Sequence, residues 1–173
     1  MADSLPDDGT RHWTGRPNSP GLLVRIDGKT YTLVGSGGRR DQPAGPALPQ
    51  TRVEVLPTRT LYEFSGGGVH LDLTFLTPAL PEDLDVLSRP VTYVIWSARS
   101  SDGSPHSVAV YIDAAGDLVV NSPEQPVTWS RFRLGRLEVL RMGSLEQPVL
   151  EKDGDDLRID WGYLYLSAEV GEG

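Results

Sequence analysis

The 173-residue sequence predicts an all-β fold, an antiparallel sandwich or barrel in which helix is confined to one or two turns. Three observations predict it. Apolar side chains recur at every second position, the period of a half-buried strand, and not at the 3.6-residue period of a helix. Ten or more such runs are short, with turn residues about every 8–12 positions. The 19 Gly and 14 Pro fall largely between the runs, where turns need them.

The elements follow in order. "GLLVRIDGKTYTLVG" places two apolar runs around Asp27-Gly28, the dipeptide suited to a type I′ hairpin turn. "RVEVLP" and "TRTLYEF" are strands broken at Pro57, which cannot donate to a ladder. Ser65-Gly66-Gly67-Gly68 turns the chain into "VHLDLTFL", where Val69, Leu71, Leu73 and Phe75 share one face and His70, Asp72 and Thr74 the other. "TPALPEDLDVLSRP" interrupts the strands. Pro81 suits the first position of a short helical turn with Glu82 and Asp83 beside it, and Pro90 ends that turn. The segment reads as a crossing between sheets.

"VTYVIWSAR" and "HSVAVYIDAA" then read as a hairpin turning at "SSDGSP". The first is apolar on both faces, which predicts a central covered strand with Trp96 in the core. "LVVN", "VTWSRFRL" and "LEVLRM" continue the meander. "DDLRIDWGYLYLSAE" closes it, with Leu157, Ile159, Trp161, Tyr163 and Tyr165 on one face. The expected organisation is a flexible tail at 1–9, a single β domain at 10–168 with a long Gly/Pro loop at 35–50, and a tail at 169–173.

Composition narrows the partners. A formal net charge of −8 repels a phosphate backbone, so nucleic acid is not an expected partner. No apolar run approaches the roughly 18 residues of a membrane span, and no basic amphipathic stretch points to a membrane surface. The absence of Cys removes thiolate chemistry and Cys-ligated metals. "MADSLPDDGTRHWTG" lacks the order of a secretion signal, so the protein is expected to be intracellular or to have lost a leader.

Little in the chain carries chemistry. Gly35-Ser36-Gly37-Gly38 before Arg39-Arg40 lacks the GxxxxGK[ST] pattern and the helix of a phosphate loop, and reads as a surface loop. Asp153, Asp155 and Asp156 lack the glycine and glutamate of an EF-hand, and read as an acidic turn, with a weak calcium site as the alternative. His12, His70 and His106 have no zinc-ligand spacing. His70 and Asp72 share a strand face and form the weak acid/base alternative; otherwise that face is simply polar. His106 opens a strand and is assigned no chemistry. No catalytic, cofactor or metal residue is expected. Trp13, outside the clearest strands, together with Trp161 and Tyr163, are the candidate interface residues.

The phrases "RHWTGRPNSPGLLVRIDGKTYTLVG", "SRPVTYVIWSARSSDGSPHSVAVYID" and "DDLRIDWGYLYL" resemble the N-terminal region of glutaminase A-type proteins, over roughly residues 11–166. The resemblance implies a β-sandwich of the supersandwich kind, followed in the same polypeptide by a helical (α/α)6 barrel that carries the catalysis. It implies a secreted or periplasmic parent hydrolysing L-glutamine to glutamate and ammonia. The barrel is not in this sequence, so no catalytic residue is carried over. The chain is expected to be a non-catalytic domain packing against that helical partner, and reads as an excised domain, a processed fragment or one subunit of a split protein. The alternative is a stand-alone ligand- or carbohydrate-binding module. Oligomeric state is not legible.

Overall fold

The computed structural model describes residues 4–5, 11–16, 18, 20–34 and 45–171. Most of the Gly/Pro loop, including Gly35-Ser36-Gly37-Gly38 and both arginines after it, lies outside them, as does most of the 1–9 tail. The chain is all-β, with antiparallel sheets. Its described strands are β1 (Pro20–Ile26), β2 (Lys29–Val34), β3 (Gln50–Leu56), β4 (Arg59–Gly66), β5 (Val69–Leu76), β6 (Tyr93–Ser100), β7 (Val108–Ala114), β8 (Val127–Leu134), β9 (Leu137–Ser144) and β10 (Leu164–Glu169). A single helical turn, α1 (Leu84–Leu87), and a 3-10 turn at Gly116–Leu118 complete the described elements.

The chain divides into two compact units. Unit 1 takes the described residues of Met1–Gly9 and Gly21–Ile112; unit 2 takes those of Thr10–Pro20 and Asp113–Gly173.

Unit 1 is built on two sheets, ordered β2-β1-β7 and β3-β4-β5-β6. Its core is one cluster drawn from both: Leu22, Val24 and Ile26 from β1, Leu33 and Val34 from β2, and Tyr62, Phe64, Val69, Leu71 and Leu73 from β4 and β5. The register explains how β4 and β5 supply it. Tyr62 lies opposite Leu73 and Phe64 opposite Leu71, so the period-two apolar positions of both strands stack on one face. Burying each such side chain stabilises the fold by about 1.5–3 kcal/mol. The Tyr62 and Phe75 rings meet edge to face, 6.2 Å apart. At the β1–β2 turn Asp27 (φ 48) and Gly28 (φ 84) both adopt the left-handed conformation a type I′ turn requires, as the sequence predicts.

Several expectations change. β6 is not a covered central strand; it is the margin of its sheet, and Tyr93, Ile95 and Trp96 are 53%, 50% and 41% exposed. Apolar residues on both of its faces had the signature of burial, but among the described strands only β5 lies beside it. β6 and β7 do not form a hairpin: β6 pairs with β5, whereas β7 joins β1 in the other sheet. The change of sheet therefore happens at residues 101–107. The 77–92 segment instead links two neighbours of the same sheet. Within it, Asp83 caps α1 by accepting from the Val86 amide at 3.0 Å, so Pro81 precedes the cap and is not the first helical residue. "LVVN" is no strand: Val119 and Val120 are buried after the 3-10 turn. Asp155 to Gly162 lie outside the last strand, which begins only at Leu164.

Among the described residues unit 2 has one sheet, ordered β10-β9-β8. Its buried apolar residues are few, Val119, Val120 and Val139, whereas Ser144, Arg158 and Asp160 are buried polar ones. Hydrogen bonds organise this interior. The Arg158 guanidinium donates to the Asp117 and Asn121 carbonyls at 3.2 and 3.3 Å, and the Asn121 side chain accepts from the Arg158 amide at 3.0 Å.

Candidate functional site

The three candidate interface residues all fall in unit 2. Trp13 is 74% exposed against the His12 ring, Tyr163 is 43% exposed, and Trp161 is half-buried. They belong to a larger set. On antiparallel strands, directly opposed residues share a face. The pairs Trp129↔Met142, Arg131↔Leu140, Leu164↔Met142 and Leu166↔Leu140 define one face of the β8-β9-β10 sheet. The pairs Phe132↔Val139, Ser130↔Arg141 and Tyr165↔Arg141 define the other. The first presents exposed Trp129 and Leu140; the second presents exposed Phe132, Leu134 and Tyr165, with Tyr163 edge to face against Tyr165 at 6.4 Å. Arg141 lies over the Tyr163 ring at 4.5 Å. Sheets normally bury at least one face, and this one leaves large apolar groups open on both.

The two residues of the acid/base alternative, His70 and Asp72, have different neighbours. Asp72 accepts from Arg99 at 2.8 Å and from Ser97 at 3.2 Å, both on β6, whereas His70 sits across from Ser65 and Arg99 in the ladder. Within the acidic turn, Asp156 is bound by Arg16 at 2.7 Å, which holds its carboxyl below the usual range. Among the described residues no group of three or more His, Asp or Glu side chains is placed to hold a metal.

His106, to which the sequence assigned nothing, is where charge converges in unit 1. Its Nδ1 lies 2.6 Å from Asp27 Oδ2 and its Nε2 lies 3.0 Å from Asp102 Oδ1. Carboxylates only accept, so this arrangement favours the imidazolium form, in which both ring nitrogens donate. Hydrogen bonds from His106, then from the Ser107 amide, lower the Asp27 pKa; those from His106 and the Ser104 amide bring Asp102 down to about 2. The bonds to Asp27 and then Asp102 raise the His106 pKa. Both ring nitrogens are already engaged by carboxylates, so the cluster acts as a strut. It ties the β1–β2 turn to the 101–107 crossing. The β4–β5 turn passes so close that a Cβ on Gly68 (φ 78) would stand 2.5 Å from the ring. Asp27 and His106 are 79 positions apart, which is why local motif reading missed them.

A second constellation lies in the loops flanking β9 and β10. Gln147 donates to the Ser144 and Gly162 carbonyls at 2.9 and 3.1 Å, and its own carbonyl accepts from the Gly162 amide at 2.7 Å. Buried Asp160 accepts from Lys152 and from Gln125. Burial pushes its carboxyl up, but the bonds from Lys152 and Gln125 together outweigh that and hold it below the usual range. Between the loops is a cavity of about 160 Å³, lined chiefly by Pro148, Leu150, Leu157, Ile159, Trp161 and the Lys152–Asp160 pair.

Residues 58–173 match a family described as "Domain of unknown function (DUF5127)". This chain belongs to the DUF5127 family. The match takes in Asp102 and His106, the loop cavity and both faces of the unit 2 sheet; Asp27 precedes it. The DUF5127 chain is also similar to "Glutaminase A" of Aspergillus oryzae (strain ATCC 42149 / RIB 40), at 29% identity over 118 residues. That span is 68% of this chain and 16% of the relative, so the chain corresponds to a small part of the longer protein. No solved structure matches it. The distant similarity supports a glutaminase-related DUF5127 domain, the coarser part of the resemblance read from the sequence.

Proposed function

We propose that this DUF5127 chain is a non-catalytic accessory domain of a glutaminase A-like protein. In this reading it is of the N-terminal supersandwich kind, and packs against a helical catalytic domain that carries the glutamine hydrolysis. One observation carries the reading: the unit 2 sheet leaves Trp129 and Leu140 open on one face and Phe132, Leu134 and Tyr165 open on the other. Exposed apolar surface of this extent on a soluble chain marks a contact surface. The similarity to a much longer relative names a source for the partner. The cluster with the most perturbed titration, at His106, is saturated by its own carboxylates, which supports a scaffold role over catalysis.

Two measurements test this. Ammonia release from L-glutamine by the purified chain is expected at buffer background; release that tracks the protein and is lost in a point variant of it would overturn the reading. Hydroxyl-radical footprinting of Trp129, Phe132 and Tyr165 is expected to show protection in the polypeptide as its gene encodes it, relative to this chain alone. Equal labelling in both would remove the docking role. The second reading, a carbohydrate-binding module, draws on the 73% exposure of Trp129, a ring free to stack on a sugar. Saturable quenching of its fluorescence by an oligosaccharide would favour that reading.

A further inference from the structure

We propose that the cavity between the 145–152 and 157–161 loops of unit 2 is an anchor pocket for one apolar side chain of a partner polypeptide, carried on a segment with basic flanks. The proposal rests on the accessory reading above, and adds where and by what chemistry the partner is held. Four observations carry it.

The first is size: about 160 Å³ accommodates one leucine- or benzene-sized group and no large cofactor. The second is the unusual display of apolar groups around it. Leu145, Val149, Leu150 and Ile159 are 61%, 57%, 79% and 63% exposed, although none lies on a strand. The third is backbone strain. Gln147 (φ 51) and Leu150 (φ 54) both hold the left-handed conformation. For a bulky branched residue such as Leu150 that is a true outlier, of the kind that collects at binding sites. The Gln147 bonds to Ser144 and Gly162, and the Lys152–Asp160–Gln125 bonds, fix the loops, so the pocket is organised before anything enters it.

The fourth observation is charge, which selects the occupant. The 145–161 segment carries six carboxylates, Glu146, Glu151, Asp153, Asp155, Asp156 and Asp160, against two cations, Lys152 and Arg158, so its net charge is −4. Glu151, Lys152, Arg158 and Asp160 line the cavity itself. Glu146, Glu151, Asp153 and Asp155 join no ion pair among the described residues. An apolar cavity between loops of net negative charge favours an apolar knob flanked by Arg or Lys and disfavours one flanked by Glu.

The test uses the full chain, 15N-labelled, titrated with a capped Arg-Arg-Leu-Arg-Arg peptide. Saturable amide shifts are expected, confined to residues 145–162. Replacing the peptide's Leu by Gly, or raising salt to about 0.5 M, is expected to weaken binding at least about five-fold. In the protein, Leu150→Gly is the informative variant. Glycine accepts the left-handed backbone, so the melting temperature holds or rises while affinity falls at least about five-fold. Absent or scattered shifts overturn the proposal, as does equal affinity for a Glu-flanked peptide or for the Leu150→Gly protein. Such a result leaves the footprint of the sheet faces standing. Loss of that footprint with the pocket shifts intact would instead remove the docking role assigned to the sheet.

Discussion

Unit 1 and unit 2 solve the same problem differently. Unit 1 closes two sheets over a shared apolar cluster, in which Val24, Leu33, Phe64 and Leu71 are fully buried. Unit 2 keeps a single sheet with few buried apolar residues, and its interior depends on Ser144, Arg158 and Asp160 bonding to loops. A sheet with its own lid is stable by burial. A sheet without one is held by polar contacts and leaves apolar groups exposed on its faces. The difference teaches that two units of one chain can be held by different forces, unit 1 by apolar burial and unit 2 by polar contacts. The docking role proposed above draws on the apolar groups that unit 2 leaves exposed.

The sharpest way to break this comparison is to cut the same side chain from each unit. Leu71→Ala removes a fully buried residue and is expected to cost about 2–5 kcal/mol in chemical denaturation, while Leu140→Ala, 48% exposed on β9, should cost under about 1 kcal/mol. Equal losses would erase the distinction. Next in size is Asp160→Ala, expected to cost about 1–3 kcal/mol by the same measurement, because Gln125 and Lys152 lose their buried acceptor. A loss within error would show that the polar interior is not what holds unit 2.

The strut of unit 1 gives a smaller, pH-dependent effect. His106 has a raised pKa, so its contribution is fully present below its unfolded value near 6.5 and is lost as pH rises through the folded one. Asp102, lowered from 3.8 to about 2, contributes above its unfolded value and loses that contribution as pH falls between those limits. Melting temperature relative to a His106→Gln variant is therefore expected to be highest between about pH 4 and 6.5, and to converge on both sides. A constant offset across pH would contradict the strut. Smallest of all, Trp129→Ser should shift stability by no more than about 0.5 kcal/mol while reducing binding of a hydrophobic dye. A large loss of stability would mean that Trp129 is structural.

The sequence made some of this legible and hid the rest. Alternation in "VHLDLTFL" foretold which side chains of β5 enter the core, and Asp27-Gly28 foretold the β1–β2 turn, because period and turn chemistry are local. β6 misled for a physical reason: apolar residues on both faces are the pattern of a covered strand, and nothing local says where in a sheet the strand will pair. Trp13 and Tyr163 were legible as surface aromatics, but Trp129, about as exposed as Trp13, sat inside a well-formed strand pattern. The His106 strut and the Gln147-pinned pocket have no local signature, since each is assembled from loops that meet only after the strands have paired.

The sequence by itself determined an all-β chain, its turn positions and the apolar face of its best strands, because these depend on side-chain period and backbone dihedrals over a few residues. The tertiary structure alone decided which strand ends up at a margin, which carboxylates flank His106 and which apolar groups stay open to solvent. Those outcomes depend on strand pairing between distant segments, and neighbouring residues do not encode it.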